Sequence, residues 1–366
     1  MRIISLFNNK GGVGKTTLAY HLSCILNEMG MRVLMIDLDP QCNLTICSID
    51  EETLHTIWRE EDEYINDYET AFNSAPKSNN KEVLSKSRSI HFMLKPVEDG
   101  IKDLDTPPPP IRVKANLDLI PGRLTVYNYE NKISERWSGV YQGDPLSIRT
   151  ITSIRNICDL YSSQYSYDFV VIDTSPSLGA LNKVIISTVD GFIIPCLPDM
   201  FSLYGIRNIG DALTKWKFEF ETVYKLISDV KREKFPKEFV QFLGYTIYNA
   251  KKYTGKTEWD LALAHDHFAK QIPATINKYI PRDVMAKAPY DIMTQPIGGT
   301  AVMHTHNTLP NMAQKYKHPI WEIPYLNNLE ETDRLTIFGN KDNYTLTREA
   351  YKEFADDFLV RLGYLK

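Results

Sequence analysis

The sequence predicts a doubly wound α/β fold, in which helices flank a mostly parallel sheet. Six apolar runs alternate with helical stretches, and each run is nearly continuous in valine, isoleucine and leucine, as is typical of strands covered on both faces. The runs begin at Arg2, Arg32, Leu117, Tyr167, Gly191 and Phe242. Strands that alternate with helices indicate βαβ units and parallel pairing. The 366 residues, 43% of them hydrophobic, can bury a large core, and we expect one domain over residues 1–366.

Composition narrows the class of protein. The formal net charge is −4, so a nucleic-acid partner would need a local basic surface. Five scattered cysteines without a C-x-x-C pair argue against a disulfide framework or a zinc site, and we expect reduced, mostly buried thiols. The first residues lack the plan of a signal peptide, and no apolar run approaches about 18 residues. We therefore expect a cytoplasmic protein that does not bind membranes.

Residues 8–17, NNKGGVGKTT, follow the first apolar run and precede a helical pattern. Glycines at this position let backbone N–H groups close around phosphate oxygens, helped by the N-terminus of the helix. Lys15 should reach the β- and γ-phosphates, and the Thr16 hydroxyl should bind Mg²⁺. The alternative is an ordinary glycine-rich turn, which Gly-Lys-Thr between a strand and a helix disfavours. The predicted phosphate-binding residues are Gly11, Gly12, Val13, Gly14, Lys15, Thr16 and Thr17.

A second lysine, Lys10, precedes Lys15, and Asn9 stands where the usual pattern G-x-x-x-x-G-K-S/T has glycine. Another cation beside the phosphates is redundant unless it neutralises charge during the reaction, as an arginine finger does. The loop resembles that of the ParA/MinD family of deviant Walker A P-loop ATPases, whose pattern K-G-G-x-G-K-S/T is matched from Lys10 to Thr16. The resemblance implies ATP and Mg²⁺ as cofactors. It also implies a homodimer in which Lys10 reaches the partner's phosphates.

Two acids end the second apolar run, in MIDLDPQCN. Carboxylates at positions i and i+2 of a strand point the same way, toward the strand end where ligands bind in such sheets. The element resembles the family's D-x-D-P-Q-x-N motif. By this resemblance, Asp39 orients or activates the attacking water and Asp37 lies near the Mg²⁺ shell. The alternative is that both acids merely end a strand.

A third acid, Asp173, ends the apolar run in FVVIDTSPS. An acid at this position after a phosphate loop is the expected Walker B residue, which holds Mg²⁺ directly or through water. The run also resembles the family's D-x-x-P pattern, with Pro176 in place. Taken alone, the run could equally be a solvated strand end.

Two later stretches resemble the adenine-binding parts of the family. YIPRDVMAKAPYDIMTQPI is similar to the segment I-P-R-N-V-x-x-x-x-A-P-x-x-x-x-P-I, which wraps the base together with an asparagine or aspartate after the sixth strand. The resemblance therefore implies base contacts from Asn249, Pro281, Arg282 and Asp283. Asn249 could instead cap a turn.

Two regions are longer than in compact relatives. Residues 51–113 read as a partly helical insertion, closed by TPPPPI, whose four prolines cannot join a sheet ladder and make a stiff, extended exit. Residues 309–366 read as a C-terminal extension. Its tail places Leu346, Tyr351, Phe354, Phe358 and Leu362 on one helical face opposite acids, which favours docking on the domain over binding anionic lipid. The phosphate loop starts at residue 8, so we expect no N-terminal helix-turn-helix domain.

The favoured function is a ParA-type ATPase that dimerises with ATP, binds DNA without sequence preference and is reset by a ParB-like or other activating partner. It would act in DNA partition or cargo positioning, near the nucleoid or a plasmid. Arg282 matches a family position near the DNA, and further candidate cations are Lys215, Lys217, Lys225, Lys231, Arg232 and Lys234. The alternatives are a membrane-cycling MinD-like regulator, which the acidic tail disfavours, and an ATP-dependent assembly or metabolic enzyme of the same fold.

Overall fold

The computed structural model describes residues 1–74, 77–232, 235–286, 288–304 and 308–364. One seven-stranded sheet has the order β3-β4-β2-β5-β1-β6-β7. Only β3 and β4 pair antiparallel, and the other neighbours are parallel, which confirms the predicted fold class. The strands are β1 (Arg2–Leu6), β2 (Val33–Asp37), β3 (Ile111–Lys114), β4 (Leu117–Ile120), β5 (Phe169–Asp173), β6 (Gly191–Cys196) and β7 (Gln241–Ile247).

Helices cover both faces of the sheet and form two added segments. They are α1 (Lys15–Glu28), α2 (Asn43–Ser48), α3 (Glu51–Asn66), α4 (Tyr68–Ser74), α5 (Lys77–Ser85), α6 (Ile90–Glu98), α7 (Tyr127–Tyr141), α8 (Pro145–Tyr165), α9 (Ala180–Thr188), α10 (Met200–Leu226), α11 (Asp229–Arg232), α12 (Leu263–Ala269), α13 (Ile272–Tyr279), α14 (Tyr290–Thr294), α15 (Leu309–Tyr316), α16 (Glu331–Gly339) and α17 (Lys341–Arg361). Short 3₁₀ turns occupy Leu124–Val126, Arg282–Val284 and Ile320–Tyr325. None of the described helices is long and apolar enough to cross a membrane.

The central strands are buried because their apolar side chains meet helices on both sides. Every residue of β2 and β5 is buried, including the terminal acids Asp37 and Asp173. These two acids are Cα partners in the parallel ladder. The β2–β5 pairing therefore places both acids at the same carboxyl edge of the sheet.

Residues 51–113 contain helices α3 to α6 and most of the edge strand β3. Asp50 caps α3, since its side chain accepts a 2.8 Å hydrogen bond from the Thr53 N–H. The four prolines end at residue 110, and β3 starts at Ile111, which pairs antiparallel with Leu119 of β4. Sequence analysis missed this edge strand because the prolines before it cannot pair and hide its start. Three of the four residues of β3, 111–113, therefore fall within the predicted insertion.

The C-terminal helix α17 docks on the domain through its apolar face. Tyr351, Phe354 and Phe358 are fully buried in the main core, and α17 packs against α1. Leu346, which the helical pattern assigned to the same face, is 64% exposed. Tyr344 and Thr347 are buried on either side of it in sequence, so Leu346 lies beside the docked face and not on it.

The packing of α10 against α13 depends on a missing side chain at Gly210. A Cβ atom there would lie 2.2 Å from the Tyr279 carbonyl oxygen. We expect Gly210→Ala to lower the free energy of unfolding by about 1–3 kcal/mol, because the backbones must separate. This loss should exceed the roughly 1 kcal/mol that alanine gains over glycine inside a helix. Urea unfolding measures the change.

The matched control is Gly339→Ala in α16, where an added Cβ meets no atom within 4 Å. Its free energy of unfolding should stay within about 0.5 kcal/mol of the wild type or rise. Equal stabilities for the two variants would contradict the close α10–α13 contact.

Candidate functional site

The loop between β1 and α1 borders a cavity of about 400 Å³. Gly12 and Gly14 have φ angles of 74° and 82°, in the left-handed region that favours glycine. A Cβ on Gly14 would lie 2.2 Å from the Tyr248 ring, so the ring also requires glycine there. The predicted loop residues that line the cavity are Gly11, Gly12, Val13, Gly14, Lys15, Thr16 and Thr17. The cavity lies at the N-terminus of α1, where an anion is favoured.

Lys15 is buried beneath the loop. Its Nζ donates hydrogen bonds to the carbonyl oxygens of Asn8, at 3.2 Å, and Lys10, at 3.3 Å. Burial lowers the pKa of Lys15, while the charges of Asp173 and Asp39 raise it. The ammonium group is therefore held in place, and a phosphate in the cavity would replace part of its lost solvation.

Thr16 and Asp173 meet as the sequence predicts for a cation site. Thr16 Oγ1 donates a 2.7 Å hydrogen bond to Asp173 Oδ2. Asp173 Oδ1 is buried and has no hydrogen-bond partner among the described residues. Burial, followed by the neighbouring Asp37 charge, raises the pKa of Asp173. An unpartnered buried carboxylate oxygen beside a threonine hydroxyl fits the oxygen ligands that Mg²⁺ prefers.

The protein side chains alone do not form a full metal cage. Within the described ranges, no group of three or more His, Cys, Asp and Glu side chains is placed to hold a metal ion. Mg²⁺ usually keeps waters and takes one or two carboxylates together with substrate phosphates. A site with Thr16 and Asp173 therefore fits Mg²⁺ that arrives with a nucleotide.

Asp37 forms hydrogen bonds with the segment that follows β2. Its Oδ2 accepts hydrogen bonds from the Thr45 N–H at 2.8 Å and the Thr45 hydroxyl at 2.7 Å, and Oδ1 accepts one from the Asp39 N–H at 3.2 Å. The residue is fully buried and does not line the cavity. Its predicted place near the Mg²⁺ shell stays a prediction, and its hydrogen bonds give it a structural role as well. Asp37 anchors α2 and the turn that carries Asp39.

Asp39 faces the cavity. It is 5% exposed, and its Oδ1 accepts a 3.0 Å hydrogen bond from the Gln41 N–H. Gln41 and Asn43 of the same motif also line the cavity, as does Pro176 on the other side. The position suits a group that orients a water molecule. That role stays a prediction.

Lys10 lies outside the cavity of its own chain. Its Nζ pairs with Asp199 and lies 5.8 Å from the centroid of the Phe201 ring. Asp199 also caps α10 by accepting a 2.9 Å hydrogen bond from the Ser202 N–H. Sequence analysis missed Asp199, although an acid three residues before serine at a helix start is a recognisable cap. The Lys10 ammonium group is therefore directed away from the phosphate loop.

The predicted base contacts do not converge on the cavity. Asn249 is exposed and has a φ angle of 63°. This left-handed conformation fits the alternative that Asn249 caps a turn. Met285 bridges to Phe242 at the amino end of β7, whereas the phosphate loop lies at the carboxyl end. The five residue steps from Phe242 to Ile247 span roughly 16 Å at 3.3 Å per residue.

Pro281, Arg282 and Asp283 precede this bridge and therefore lie at the far edge of the sheet. Asp283 pairs with Lys217 of α10. None of the three lines the cavity at the phosphate loop, and their contact with adenine stays a prediction. Arg282 is exposed.

Some of the other predicted cations are paired with acidic side chains. Lys217 also lies 3.7 Å from Glu221, and Arg232 pairs with Asp229 at 2.9 Å. Lys215 and Lys225 are exposed, while Lys234 lies outside the described residues. The C-terminal half of α10 is therefore a mixed rather than a uniformly basic surface.

The two buried acids at the sheet edge should respond differently to substitution. Asp173→Asn should weaken Mg²⁺ binding in the presence of ATP by at least the roughly 10–100-fold that follows loss of a group supporting a metal site, with little change in unfolding temperature. Asp37→Asn should instead destabilise the Mg²⁺-free protein by about 1–3 kcal/mol, because Thr45 loses its acceptor. Mg²⁺ titration and thermal unfolding separate the two effects. Identical behaviour of the variants would contradict this division of roles.

Comparison with known proteins agrees with this geometry. The model of the AAA domain family AAA_31 matches residues 1–224, which is more than half of the chain. An uncharacterized protein of Methanocaldococcus jannaschii is 31% identical over 219 residues, 59% of this chain and 67% of the relative. A probable plasmid-partitioning protein ParA of Thermus thermophilus is 26% identical over 252 residues, 68% of this chain and 59% of that protein.

Solved structures share the fold. The structure of pNOB8 ParA covers 99% of this chain and 98% of its own, with a TM-score of 0.54 and 18% identity. A structure of pNOB8 ParA bound to nonspecific DNA has a TM-score of 0.52 at 17% identity and covers 100% and 99% of the two chains. The complex of a Cyanothece McdA variant with ATP has a TM-score of 0.54 at 14% identity and covers 100% and 98%. The chain therefore belongs to the AAA domain family AAA_31, as a ParA/MinD-like P-loop protein.

Proposed function

We propose that this protein is an ATP-dependent, dimerising ATPase of ParA type that acts in DNA partition or cargo positioning. One observation carries the proposal. Lys15, Thr16 and Asp39 line the cavity, and Thr16 is hydrogen-bonded to the buried Asp173, while Lys10 is paired with Asp199 and does not line the cavity. The loop is suited to bind phosphate, but its Lys10 side chain does not reach the cavity of the same chain. Such a site would be completed by the lysine of a second copy.

ATP with Mg²⁺ is the proposed ligand. Lys15 and the loop N–H groups would bind the β- and γ-phosphates, and Thr16 and Asp173 would hold Mg²⁺, which bridges phosphate oxygens and neutralises developing charge. The ATP complex of the McdA neighbour supports the choice of nucleotide. Asp39 would orient water for attack on the γ-phosphate.

Asp199 would hold Lys10 in an ion pair within the chain until the dimer forms. Both side chains are only partly exposed, at 22% for Lys10 and 28% for Asp199, so solvent screens their attraction moderately. A partner's phosphates carry more negative charge than one carboxylate and would draw Lys10 across the interface. Dimerisation would therefore exchange an ion pair within the chain for one between chains.

DNA without sequence preference is the proposed partner, and the pNOB8 ParA complex with nonspecific DNA supports it. Arg282 is one candidate contact. A second pair of exposed cations, Lys251 and Lys252, follows β7 at the carboxyl edge of the sheet, and no carboxylate of the described residues lies within salt-bridge distance of either.

Lys251 lies near the Lys10–Asp199 pair by way of His265. The Lys251 N–H donates a 3.0 Å hydrogen bond to His265 Nδ1. Burial lowers the pKa of His265, the Asp199 charge raises it, and the charges of Lys251 and Lys10 lower it. A basic surface next to the proposed dimer face would be doubled when two copies associate, which would make DNA binding depend on ATP. A ParB-like or other partner would then stimulate hydrolysis and release.

Mixed dimers test the exchange of Lys10 between subunits. Lys10→Ala and Asp39→Ala should each bind ATP but hydrolyse it orders of magnitude more slowly than the wild type. In a mixed dimer the Lys10→Ala subunit keeps Asp39 and receives the intact Lys10 of its partner, so one complete site is restored. ATPase activity should therefore return partly on mixing.

Lys15→Ala is the control, because it removes the principal phosphate-binding cation and should not rescue Lys10→Ala if ATP must bind to both subunits. Crosslinking shows that mixed dimers form. Mixed dimers without recovered activity, together with failure of Lys10→Ala to bind ATP, would mean that Lys10 serves its own subunit. Normal turnover by Lys15→Ala would contradict the ATPase itself.

DNA binding should require ATP and weaken steeply with salt, by about 0.9 on a log–log plot for each phosphate contact. Arg282→Glu and the double variant Lys251→Glu/Lys252→Glu each test one surface, and loss on all sequences alike identifies the surface that contacts DNA. Lys352→Glu, on the exposed face of α17, is the charge-matched control. Fluorescence anisotropy with duplexes of several sequences measures the affinities. Salt-insensitive binding, or none with ATP, would contradict the proposal.

A further inference from the structure

The insertion at residues 51–113 is bonded to the turn that follows β4. In α3, the Trp58 indole N–H donates a 3.0 Å hydrogen bond to the Gly122 carbonyl oxygen. The next residue of the turn, Arg123, is buried, and its Nη1 donates a 2.9 Å hydrogen bond to the Trp58 carbonyl oxygen. Two consecutive residues of the turn are therefore bonded to one residue of α3, through its side chain and through its backbone.

A buried acid joins α3 to α6 behind this contact. Glu61 is fully buried, and its carboxylate accepts hydrogen bonds from the Ser89 N–H at 2.5 Å and from the Ser89 hydroxyl at 2.6 Å. Arg123 Nη1 also donates to this carboxylate, at 3.3 Å. At the start of α6, the Ile90 N–H donates a 2.9 Å hydrogen bond to the Pro121 carbonyl oxygen. Two helices of the insertion therefore fix the turn after β4.

The other side of the same turn reaches Asp37. The Gly122 N–H donates a 2.8 Å hydrogen bond to Thr45 Oγ1, and this hydroxyl donates a 2.7 Å hydrogen bond to Asp37 Oδ2. A Cβ atom on Gly122 would lie 3.1 Å from Asp37 Cγ, so the turn packs directly on the carboxylate. Asp37 Oδ1 accepts a hydrogen bond from the Asp39 N–H at 3.2 Å. A continuous series of hydrogen bonds therefore runs from α3 to the backbone of Asp39.

Asp39 belongs to neither a helix nor a strand, so hydrogen bonds must hold it in place. Residues 38–42, between β2 and α2, form turns and irregular structure. A displacement of about 1 Å in a group that orients a reactant can lower the rate about 100-fold. The series is buried apart from the half-buried Trp58, so each hydrogen bond in it is stronger than in water. The loss of one hydrogen bond at α3 should therefore change the position of Asp39.

We infer that α3 of the insertion positions Asp39 for hydrolysis through this series of hydrogen bonds. Trp58 is then a positioning residue, which acts through Gly122 and Thr45 and does not touch the nucleotide. This inference rests on the proposed function, since it assumes that Asp39 orients the attacking water. It gives the insertion a part in the reaction, although none of its described residues lines the cavity.

The first test separates hydrolysis from binding, on the full chain with ATP and Mg²⁺. Trp58→Phe removes the indole N–H and keeps an aromatic ring near Arg123, which lies 5.9 Å from the indole centroid. The single-turnover rate of hydrolysis should fall about fivefold to tenfold, as expected for one lost hydrogen bond, while the affinity for ATP stays within about twofold. Trp137→Phe is the matched control, because its indole N–H donates to Tyr141 Oη within α7, and it should change neither quantity.

A second test asks whether Trp58 and Thr45 act in the same series. Thr45→Val removes the bridging hydroxyl and should slow hydrolysis, whereas Thr45→Ser keeps the hydroxyl and should retain most of the wild-type rate. Trp58→Phe/Thr45→Val should be no slower than Thr45→Val alone, because a second interruption of one series adds nothing, whereas independent effects would multiply. Thermal unfolding checks the fold, and the comparison of Trp58→Phe with Trp137→Phe decides if Thr45→Val is unstable.

The outcomes separate this inference from the proposed function. An unchanged rate of hydrolysis in Trp58→Phe overturns the role of α3. A parallel loss of ATP affinity, an equal loss of rate in Trp137→Phe, or losses that multiply in the double variant also overturn it, because each would mean general damage to the fold. Failure of the wild type to bind or hydrolyse ATP would instead overturn the proposed function on which the inference rests.

Discussion

The parallel pairing of β1, β2 and β5 is the constraint on which the site depends. β5 lies between β2 and β1, and its register makes Asp37 and Asp173 direct neighbours at the carboxyl edge. β1 delivers the phosphate loop to the same edge, where ligands bind in doubly wound sheets. Thr16 meets Asp173 only because the strands end at the same level. A shift of register would separate the hydroxyl from the carboxylate.

Hydrogen bonding and burial then distinguish Asp37 from Asp173. Asp37 is enclosed by donors from Thr45 and Asp39, so it stabilises the turn that carries Asp39. Asp173 retains a buried oxygen to which none of the residues that the structure describes donates a hydrogen bond, and burial raises the pKa of Asp173. A carboxylate in this position is costly until a cation pairs with it. The edge of the sheet is therefore arranged for a ligand that brings both a divalent cation and phosphates.

Contacts between distant parts of the chain complete the site on two sides. On one side, Asp199 at the start of α10 holds Lys10 away from the loop. On the other side, α15 and the segment after it reach α1 and α2 through His21 and Ile46. The phosphate loop thus lies between Lys10, which is paired with Asp199, and a C-terminal segment that is fixed to α1 and α2.

Sequence patterns alone predicted six of the seven strands, the phosphate loop and the positions of Asp39 and Asp173, since apolar runs, glycines and strand-end acids act through their immediate neighbours. Residues 281–283 show the limit of a motif. Their order matches a known segment, yet the path of the chain places them at the amino end of β7. The edge strand β3 was missed for a related reason, because its pairing with β4 outweighs the prolines before it.

The sequence by itself therefore determined the fold class and the chemistry available at one edge of the sheet. Only the tertiary structure decided which groups share that edge. Lys10 and Asp199 are 189 positions apart, and His21 and Ile320 are 299 positions apart. No local pattern links such residues, because their contacts arise only when the strands pair and the extension docks. The physical reason is that hydrogen bonds and ion pairs depend on distance in space, whereas a motif records only distance along the chain.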